Sequence, residues 1–486
     1  MKRGCRFLVQ WSCIFLFSFV TMAQEKPNVI YILTDQWRAS AFGYAGDPNV
    51  KTPNIDTLAE ESISFTNALS VSPVCTPHRA ALMTGRFPTS TGMFLNDLYL
   101  PSEELCMAEI FKSEGYNTAF LGKWHLDGHG RLNNVPQERR QGFDYWKALE
   151  CSHNYNKMAY YDNHSPEMKY WKGYSPFAIS KDAQQYITDQ SENENPFLMV
   201  VSIATPHFPH ATALQEYKDL YPEDEIKIAP NVPKNRHKKV RKELNGYYAH
   251  ATATDKAIGE LLDKIKTLGL DKNTIIVFSA DHGEMMGAHD GRPHSKQVAW
   301  DESVRVPFLI KYPTIGKHAG ITVRTPLTTP DILPSLLGLA AIKIPKSIEG
   351  KDLSKVIKSP DIEKNGTALF MNLCPFTREY VHEEYRGIYT NQYAYVRTLS
   401  GPSKLFDMVN DPYQMNNLVG AKDFVKIEKS LNKKLNKELK RIGDDFKPRD
   451  YYVKKWNLIL NENGTHINYN DFNKGKGMVQ SPKVSQ

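Results

Sequence analysis

Five short runs of apolar, mostly β-branched residues recur along the first two thirds of the chain. Runs of this length without polar alternation are typical of strands that a sheet buries on both faces. They cover residues 28–35, 117–125, 196–207, 273–283 and 306–313. The pattern predicts a parallel sheet built from these five strands.

Between these runs, apolar residues recur every three or four positions, which is the period of an amphipathic helix. Residues 52–65, 105–115 and 246–269 follow this pattern. Strands that alternate with helices predict an α/β fold, with a large, mostly parallel sheet covered by helices on both faces.

The pattern changes near residue 350. Short apolar runs separated by turns follow, which predicts a small antiparallel sheet. The apolar positions of residues 424–442 then fall on one face of a helix that could pack on it. We therefore expect a main domain over residues 24–355, a smaller C-terminal subdomain over 356–460 and a polar tail over 461–486.

The first 23 residues have the pattern of a signal peptide. Lys2 and Arg3 give a positive start, residues 14–20 are apolar, and Ala23 ends a segment suited to cleavage. The apolar run is too short to span a bilayer. We expect an exported protein, periplasmic or secreted, that is not inserted in a membrane.

Composition narrows the class of partner. The 486 residues carry a formal net charge of +7, which could favour polyanionic substrates, although a lysine-rich surface is the simpler explanation. No zinc-finger spacing or arginine-rich arm is present, so nucleic acid is not an expected partner. Two of the six cysteines lie in the signal peptide, and the other four form no CxxC pair and at most one disulfide.

Candidate chemistry collects where four of the predicted strands end. Because ligands of open α/β sheets bind at the carboxyl ends of the strands, these residues should meet at one edge. They are Asp35, Gln36, Lys123, His125, His207, Asp281 and His282.

Some of these residues are suited to a metal ion. Asp35, Gln36 and Asp281 offer the oxygen ligands that Ca²⁺ and Mg²⁺ prefer. His282 adds a nitrogen and leaves Mn²⁺ or Zn²⁺ open.

The segment "SVSPVCTPHRAALMTGR" (70–86) places a cysteine at a predicted helix start. Pro77 suits the first turn, and Gly85 suits the end of the helix. Cys75 would then lie where free N–H groups favour anions, with Arg79 one turn further on. A thiolate nucleophile and a buried structural cysteine are both compatible with this position.

The segment "CTPHRAALMTGR" resembles the signature of the type I sulfatases of the alkaline phosphatase superfamily. Other segments resemble further motifs of that family, in the same order and from about residue 27 to residue 420. They are "NVIYILTDQWR", "GKWH", "TPHFPH", "SADHGEMMGAH", "HSKQVAWDESVRVPFLIKYP" and "LFDMVNDPYQMNNL".

The resemblance implies that a maturing enzyme oxidises Cys75 to formylglycine (3-oxoalanine), and that the main domain is catalytic. The modified residue would bind one Ca²⁺ together with Asp35, Gln36, Asp281 and His282. Many family members have Asp at position 36 and Asn at position 282. Gln36 removes a negative charge, so the affinity and identity of the metal are the properties in which this chain departs from the family pattern.

The implied reaction begins when a hydroxyl of the hydrated formylglycine attacks sulfur. The metal and Arg79 would lower the cost of ionising this hydroxyl. The metal, Lys123, Lys296 and the helix start would stabilise the charge that gathers on the sulfuryl oxygens. His207 is the candidate general acid for the leaving alcohol. His125 would act on the second hydroxyl, which releases sulfate.

The expected substrate is a sulfated polysaccharide or its oligosaccharides. Algal polysaccharides such as ulvan or carrageenan are favoured over animal glycosaminoglycans. The segment 148–164, rich in Tyr, Asn and His, is a candidate for sugar subsites, and a surface loop packed by aromatics is the alternative. A phosphonate or phosphodiester hydrolase of the same superfamily and a non-catalytic sugar-binding descendant are the rival functions.

Overall fold

The computed structural model describes residues 26–360, 365–375, 383–462, 464, 466–467 and 478–483. The predicted signal peptide lies outside the described residues. Within these residues no helix combines the length and the apolar character that crossing a membrane requires.

Sixteen strands form three sheets in the described part of the chain. The largest has ten strands, in the order β11-β2-β10-β9-β1-β8-β4-β5-β6-β7. In chain order the strands are β1 (Asn28–Asp35), β2 (Ile63–Phe65), β3 (Ala68–Leu69), β4 (Asn117–Lys123), β5 (Tyr145–Leu149), β6 (Ala159–Asp162), β7 (Lys169–Tyr170), β8 (Phe197–Pro206), β9 (Thr274–Ala280), β10 (Phe308–Lys311), β11 (Thr322–Val323), β12 (Leu327–Thr328), β13 (Ala368–Asn372), β14 (Tyr385–Tyr389), β15 (Tyr393–Thr398) and β16 (Gly401–Asp407).

The centre of the large sheet is parallel. β1 pairs with β8 and β9, and β4 pairs with β8 and β5, all in parallel register. Every residue of β8 and β9 is buried, which explains why their sequences are apolar at successive positions. The predicted strands in this region are confirmed.

The prediction of a fifth parallel strand over residues 306–313 is wrong in direction. This strand, β10, runs antiparallel to β9. A parallel neighbour needs a crossover that carries the chain back to the other end of the sheet. The 27 residues between the two strands instead contain only one short α-helix, Asp301–Val304.

The helices cover both faces of the large sheet. α5 and α7 pack on each other and on β8, and α4 packs on β4. In chain order the helices of the described residues are α1 (Pro53–Glu60), α2 (Cys75–Thr84), α3 (Pro88–Thr91), α4 (Met107–Ser113), α5 (Ser175–Gln190), α6 (Gln215–Lys218), α7 (His237–Thr267), α8 (Asp301–Val304), α9 (Ile332–Leu339), α10 (Ser354–Lys358), α11 (Val425–Arg441) and α12 (Arg449–Lys455).

The helix predicted over residues 52–65 is shorter than expected. α1 ends at Glu60, and the last three residues of the pattern form β2, which pairs with β10 and β11. Ile63 and Phe65 are the residue types that a strand prefers, and both become buried there.

The C-terminal part forms the predicted antiparallel sheet and helix. β13, β14, β15 and β16 pair in sequence order, and all three pairings are antiparallel. Leu431, Leu435 and Leu439 of α11 are buried, and α11 packs on β14 and β15. Both predictions for this region are confirmed.

Candidate active site

Cys75 is the first residue of α2, at the carboxyl edge of the large sheet. Val74 before it is extended, and Gly85 ends the helix in the left-handed region at φ 66°. The thiol side chain is buried. The predicted helix start is confirmed, but its first turn offers few free N–H groups, because that of Thr76 donates to Asn96 Oδ1 and Pro77 has none.

Four groups from other segments surround the sulfur of Cys75. Sγ lies 3.3 Å from His282 Nε2, 3.4 Å from Lys296 Nζ, 3.7 Å from Lys123 Nζ and 3.8 Å from Asp35 Oδ1. Burial opposes ionisation, but the positive charges of Lys123 and Lys296 outweigh it and hold the pKa of Cys75 well below its usual value. Position 75 therefore favours a negatively charged group.

Arg79 holds the two carboxylates of the site. It donates to Asp35 Oδ2 from Nη2, to Asp281 Oδ2 from Nε and Nη2, and to Lys123 O and Ser202 Oγ from Nη1. These five bonds use all five N–H donors of a guanidinium. Arg79 is thus placed to position the carboxylates.

No sequence pattern marks Ser202, which lies within an apolar strand. Its hydroxyl also donates to Lys123 O, at 2.7 Å. Gly122 permits this arrangement because its φ is +99° and a Cβ there would lie 1.9 Å from Ser202 O. Only glycine allows β4 to approach β8 so closely at this point.

Lys123 and Asp35 form a buried ion pair. Lys123 Nζ lies 2.6 Å from Asp35 Oδ2. Burial and the charge of Cys75 raise the pKa of Asp35, but the charges of Lys123 and Arg79 outweigh them, so the pKa stays below its usual value. Asp35 is therefore ionised, with Oδ1 directed toward Cys75.

The donors suit a divalent metal ion. Asp35, Cys75, Asp281 and His282 are fully buried, and one ligand atom of each lies within 4.8 Å of the others. The Oδ2 atoms of the two carboxylates are held by Arg79, which leaves the Oδ1 atoms on the side of His282. His282 Nδ1 contacts Gly283 O at 3.0 Å, and a proton on Nδ1 leaves the lone pair of Nε2 facing the same point.

Gln36 is oriented by a residue that the sequence analysis missed. Gln36 Nε2 donates to Glu284 Oε2 at 2.5 Å, which turns the amide oxygen toward Lys296 Nζ, 3.2 Å away. Glu284 Oε1 accepts the backbone N–H groups of Met286 and His294. Because Glu284 is fully buried and held on both oxygens, it fixes which end of the Gln36 amide faces the site.

His207 and Lys296 are in direct contact. Lys296 Nζ lies 3.2 Å from His207 Nε2, and His207 Nδ1 lies 2.7 Å from Phe208 O. Burial and the charge of Lys296 lower the pKa of His207 to about 4. Without substrate, His207 is therefore neutral at neutral pH, and its Nε2 accepts a hydrogen bond from the lysine.

His125, in contrast to His207, is protonated at neutral pH. Its Nε2 contacts Asp97 Oδ1 at 3.1 Å, and Arg131 holds Asp97 through two hydrogen bonds. Burial alone lowers the pKa of His125, but the negative charge of Cys151 and the bond to Asp97 raise it to about 10. Asp97 lies in a loop far away in sequence, and nothing in its local pattern distinguished it.

Three residues of the site have a left-handed backbone. Gln36, Asp97 and His125 have φ values of 59°, 65° and 62°. Such conformations are costly for residues other than glycine and cluster at functional sites.

The segment 148–164 reaches the site through His153 as well as through Cys151, which lies close enough to His125 to raise its pKa. The ring of His153 stacks on His207, with centroids 4.6 Å apart and planes inclined by 6°. Tyr155 is buried and donates to Phe208 O. One part of the segment thus contacts the site, and another packs in the interior.

The described cysteines do not form a disulfide. Cys75, Cys106, Cys151 and Cys374 are all buried, and none of them is joined to another.

Comparison with known proteins matches this arrangement to one family. The Sulfatase family model matches residues 27–342, and a model of the C-terminal part of N-sulphoglucosamine sulphohydrolase matches residues 290–441. An ulvan-active sulfatase of Formosa agariphila is 64% identical over 457 residues, which cover 94% of this chain and 89% of the relative. An endo-4-O-sulfatase of Bacteroides thetaiotaomicron is 31% identical, with 86% and 93% covered.

Solved structures agree in fold. One solved structure, from a glycosaminoglycan-metabolism locus of Bacteroides thetaiotaomicron, has a TM-score of 0.76 with this chain at 29% sequence identity. The match covers 89% of this chain and 98% of that one. The phosphonate monoester hydrolase of Agrobacterium radiobacter has a TM-score of 0.69 at 20% identity, with 86% and 96% covered, and so shows the fold alone. Given the extent of the family match and of the 64% identical relative, the chain belongs to the sulfatase family and is a sulfuric ester hydrolase.

Proposed function

We propose that this sulfatase is exported and removes sulfate from sugars of an ulvan-type polysaccharide or its oligosaccharides, through a formylglycine made from Cys75 by a separate maturing enzyme. The observation that carries the proposal is the environment of Cys75. Two lysines, two carboxylates and one histidine converge on one buried side chain at a helix start. This environment suits a group that handles an anion.

The substrate class rests on the relatives. The 64% identical relative is named for its activity on ulvan, and the 31% identical one is an endo-4-O-sulfatase. The higher identity favours the algal polymer over a glycosaminoglycan. A phosphonate or phosphodiester substrate is supported only by likeness of fold at 20% identity.

The site would bind a sulfate ester beside residue 75. Formylglycine, when hydrated, supplies a hydroxyl nucleophile at that position. The ammonium groups of Lys123 and Lys296, both within 3.7 Å of the residue 75 side chain, would bind the sulfate oxygens and stabilise the charge that develops on them. Arg79 acts as a positioning residue, because its N–H groups are taken up by the carboxylates and by β4 and β8.

Asp35, Asp281, His282 and Gln36 would hold one divalent cation with residue 75, and Ca²⁺ is the ion that the family implies. When bound, such an ion supplies Lewis-acid polarisation of a sulfate oxygen and lowers the pKa of a hydroxyl. The oxygen donors of Asp35, Asp281 and Gln36 suit Ca²⁺, while the nitrogen of His282 is compatible with Mn²⁺ as well.

His207 and Lys296 would together protonate the leaving sugar oxygen. The bond that breaks is the one between sulfur and this oxygen, which takes a proton from His207 Nε2. Since His207 is neutral without substrate, the proton must come from outside the ring, and Lys296 Nζ, 3.2 Å away, is in contact to supply it. In the second step the bond between the carbon of residue 75 and the sulfate oxygen breaks, and the remaining hydroxyl loses its proton as the aldehyde re-forms. That proton would pass to the Lys296 amine left neutral by the first step, while His125, which Asp97 keeps protonated, would donate a hydrogen bond to the oxygens at residue 75.

Two measurements test the proposal. Sulfate release by the matured enzyme should be faster on ulvan oligosaccharides than on chondroitin or carrageenan oligosaccharides, and negligible on matched phosphate esters. Peptide mass analysis should find formylglycine at position 75. Preference for phosphate esters, or an unmodified thiol in a fully active enzyme, would contradict it.

Leaving-group dependence tests the two histidines separately. A general acid matters less when the leaving group is a good one. The variant His207→Ala should therefore lose activity on sugar sulfates but keep much of it on nitrophenyl sulfate, whereas His125→Ala should lose both. Equal losses on both substrates for His207→Ala would contradict the assignment.

A further inference from the structure

A second group of metal-binding side chains lies outside the site around Cys75. His210 follows β8, Glu243 belongs to α7, and His294 lies in the loop that leads to Lys296. One ligand atom of each lies within 4.8 Å of the others. We propose that His210, Glu243 and His294 bind a divalent transition metal ion of the zinc type, at a site distinct from the one at Asp35 and Asp281.

The distances within this group suit a single small ion. Glu243 Oε2 lies 3.0 Å from His210 Nδ1 and 3.6 Å from His294 Nε2. Donors around one tetrahedral zinc ion, each bound at about 2.1 Å, are separated by about 3.4 Å. The three side chains thus need little rearrangement to share an ion.

The donor types select the class of ion. Two imidazoles and one carboxylate are a typical set for zinc sites that keep an open position, whereas Ca²⁺ takes six or more oxygen ligands. The side chain of His210 is only 1% exposed, while those of Glu243 and His294 are 24% and 35% exposed. One side of the group is therefore fixed in the interior, and the other is open to an entering ion.

Both histidines can turn a lone pair toward the ion without losing another hydrogen bond. Among the described residues, His210 Nε2 and His294 Nδ1 are buried and have no hydrogen-bond partner. Each ring can therefore keep its proton on that outer nitrogen. The hydrogen bonds from both histidines lower the pKa of Glu243, so its carboxylate is ionised.

An ion bound at this position would connect α7 to segments of the active site. His210 is three residues after His207, and His294 is two residues before Lys296. The ring of Phe208 lies 4.3 Å from that of His207 and 4.8 Å from that of His294. An ion held here would join α7 to the two segments that carry His207 and Lys296.

Cobalt is a suitable probe because its visible absorption reports tetrahedral nitrogen and oxygen ligands. The full-length enzyme, kept in excess Ca²⁺, would be titrated with Co²⁺. We expect one Co²⁺ per chain, and affinity at least about tenfold weaker in Glu243→Gln and in His294→Ala. His318→Ala, which removes a histidine outside both sites, should bind like the unaltered enzyme.

Either of two results would overturn the proposal. One is Co²⁺ binding that is absent, or that is unchanged in Glu243→Gln, His294→Ala and His210→Ala. The other is a cobalt signal that Asp281→Asn abolishes and Glu243→Gln preserves, because the ion would then lie at the site of Asp35 and Asp281. Circular dichroism checks folding, and both Glu243→Gln and His294→Ala alter partly exposed side chains.

Thermal unfolding tests whether the bound ion connects α7 to these two segments. Zn²⁺ should raise the melting temperature of the unaltered enzyme and of His318→Ala but not that of Glu243→Gln. Equal shifts in all three proteins would contradict a role for this group.

Discussion

Two clusters of buried charged residues, one around Arg386 and one around Cys75, differ in whether all their charged groups are paired within the fold. In the C-terminal part, Arg386 donates to both oxygens of Asp444 and to the hydroxyl of Tyr452, which itself donates to Asp444. The ring of Phe446 lies 4.6 Å from the guanidinium. Every charge in this cluster is satisfied by neighbours that belong to the fold.

The cluster around Cys75 contains a similar arginine, but it also holds charged atoms that this arginine does not bind. Arg79 uses its five N–H groups within the fold, as Arg386 does. Yet the Oδ1 atoms of Asp35 and Asp281, the Nε2 of His282 and two ammonium groups converge on one side chain. Buried charge alone thus says little about function, and donors that converge on one point say much more.

The strongest test of this difference is the variant Cys75→Ser. A serine lacks the thiol that is oxidised to an aldehyde, so turnover should fall on the order of 10³-fold or more, with little change in melting temperature. Steady-state sulfate release and a thermal melt measure the two effects. Cys106→Ser, at a buried cysteine outside the site, is the control that should keep its activity, and full turnover by Cys75→Ser would contradict the aldehyde mechanism.

The complementary test breaks the C-terminal cluster. Arg386→Met leaves Asp444 buried without its partner, so the free energy of unfolding should fall by about 3–5 kcal/mol. Activity per folded molecule should be unchanged, because the cluster supplies nothing to the site. Urea unfolding measures the stability, and Arg236→Met, at a partly exposed ion pair with Asp290, should change it by no more than about 0.5 kcal/mol.

A loss of turnover in folded Arg386→Met protein would remove the distinction between the two clusters.

Glu284→Gln sharpens the comparison within the site. A glutamine at 284 can place an amide nitrogen opposite Gln36 Nε2, which favours the flipped Gln36 amide and turns its nitrogen toward the metal position. We expect Ca²⁺ affinity to fall by about 10- to 100-fold, measured by calorimetry on chelator-treated enzyme. Glu61→Gln, at a surface ion pair, is the control, and unchanged affinity in Glu284→Gln would show that the amide needs no such support.

Asp97→Asn should have the smallest effect, a shift in pH dependence. The pKa of His125 is raised to about 10, so its proton is held below that pH and lost above it. Removing the carboxylate lowers this pKa, and the alkaline limb of kcat/KM should therefore move to lower pH, by about one unit. An alkaline limb that stays in place would show that Asp97 does not set the charge of His125.

The raised pKa of His125 also makes the stability of the fold depend on pH. A group whose folded pKa is raised stabilises the native state below its unfolded value near 6.5, and that contribution is lost as pH rises toward about 10. Asp97→Asn should reduce this contribution at neutral pH.

Local pattern was enough to predict most elements. The strands that end at Asp35 and Lys123, the helix that begins at Cys75 and the amphipathic helix α11 all follow from short-range periodicity and turn residues. These features depend on residues close in sequence, which is why they could be read from it. The direction of β10 could not, because it depends on where the long loop after β9 returns.

The sequence by itself determined which chemical groups reach the edge of the sheet, through the residues that follow the strands and the family motif around Cys75. Only the tertiary structure decided how those groups divide the work. It showed Arg79 with every N–H in use, His207 neutral beside Lys296, and His125 charged beside Asp97. Burial and contacts between distant segments set hydrogen bonding and charge, and neither is encoded in the local pattern of a single segment.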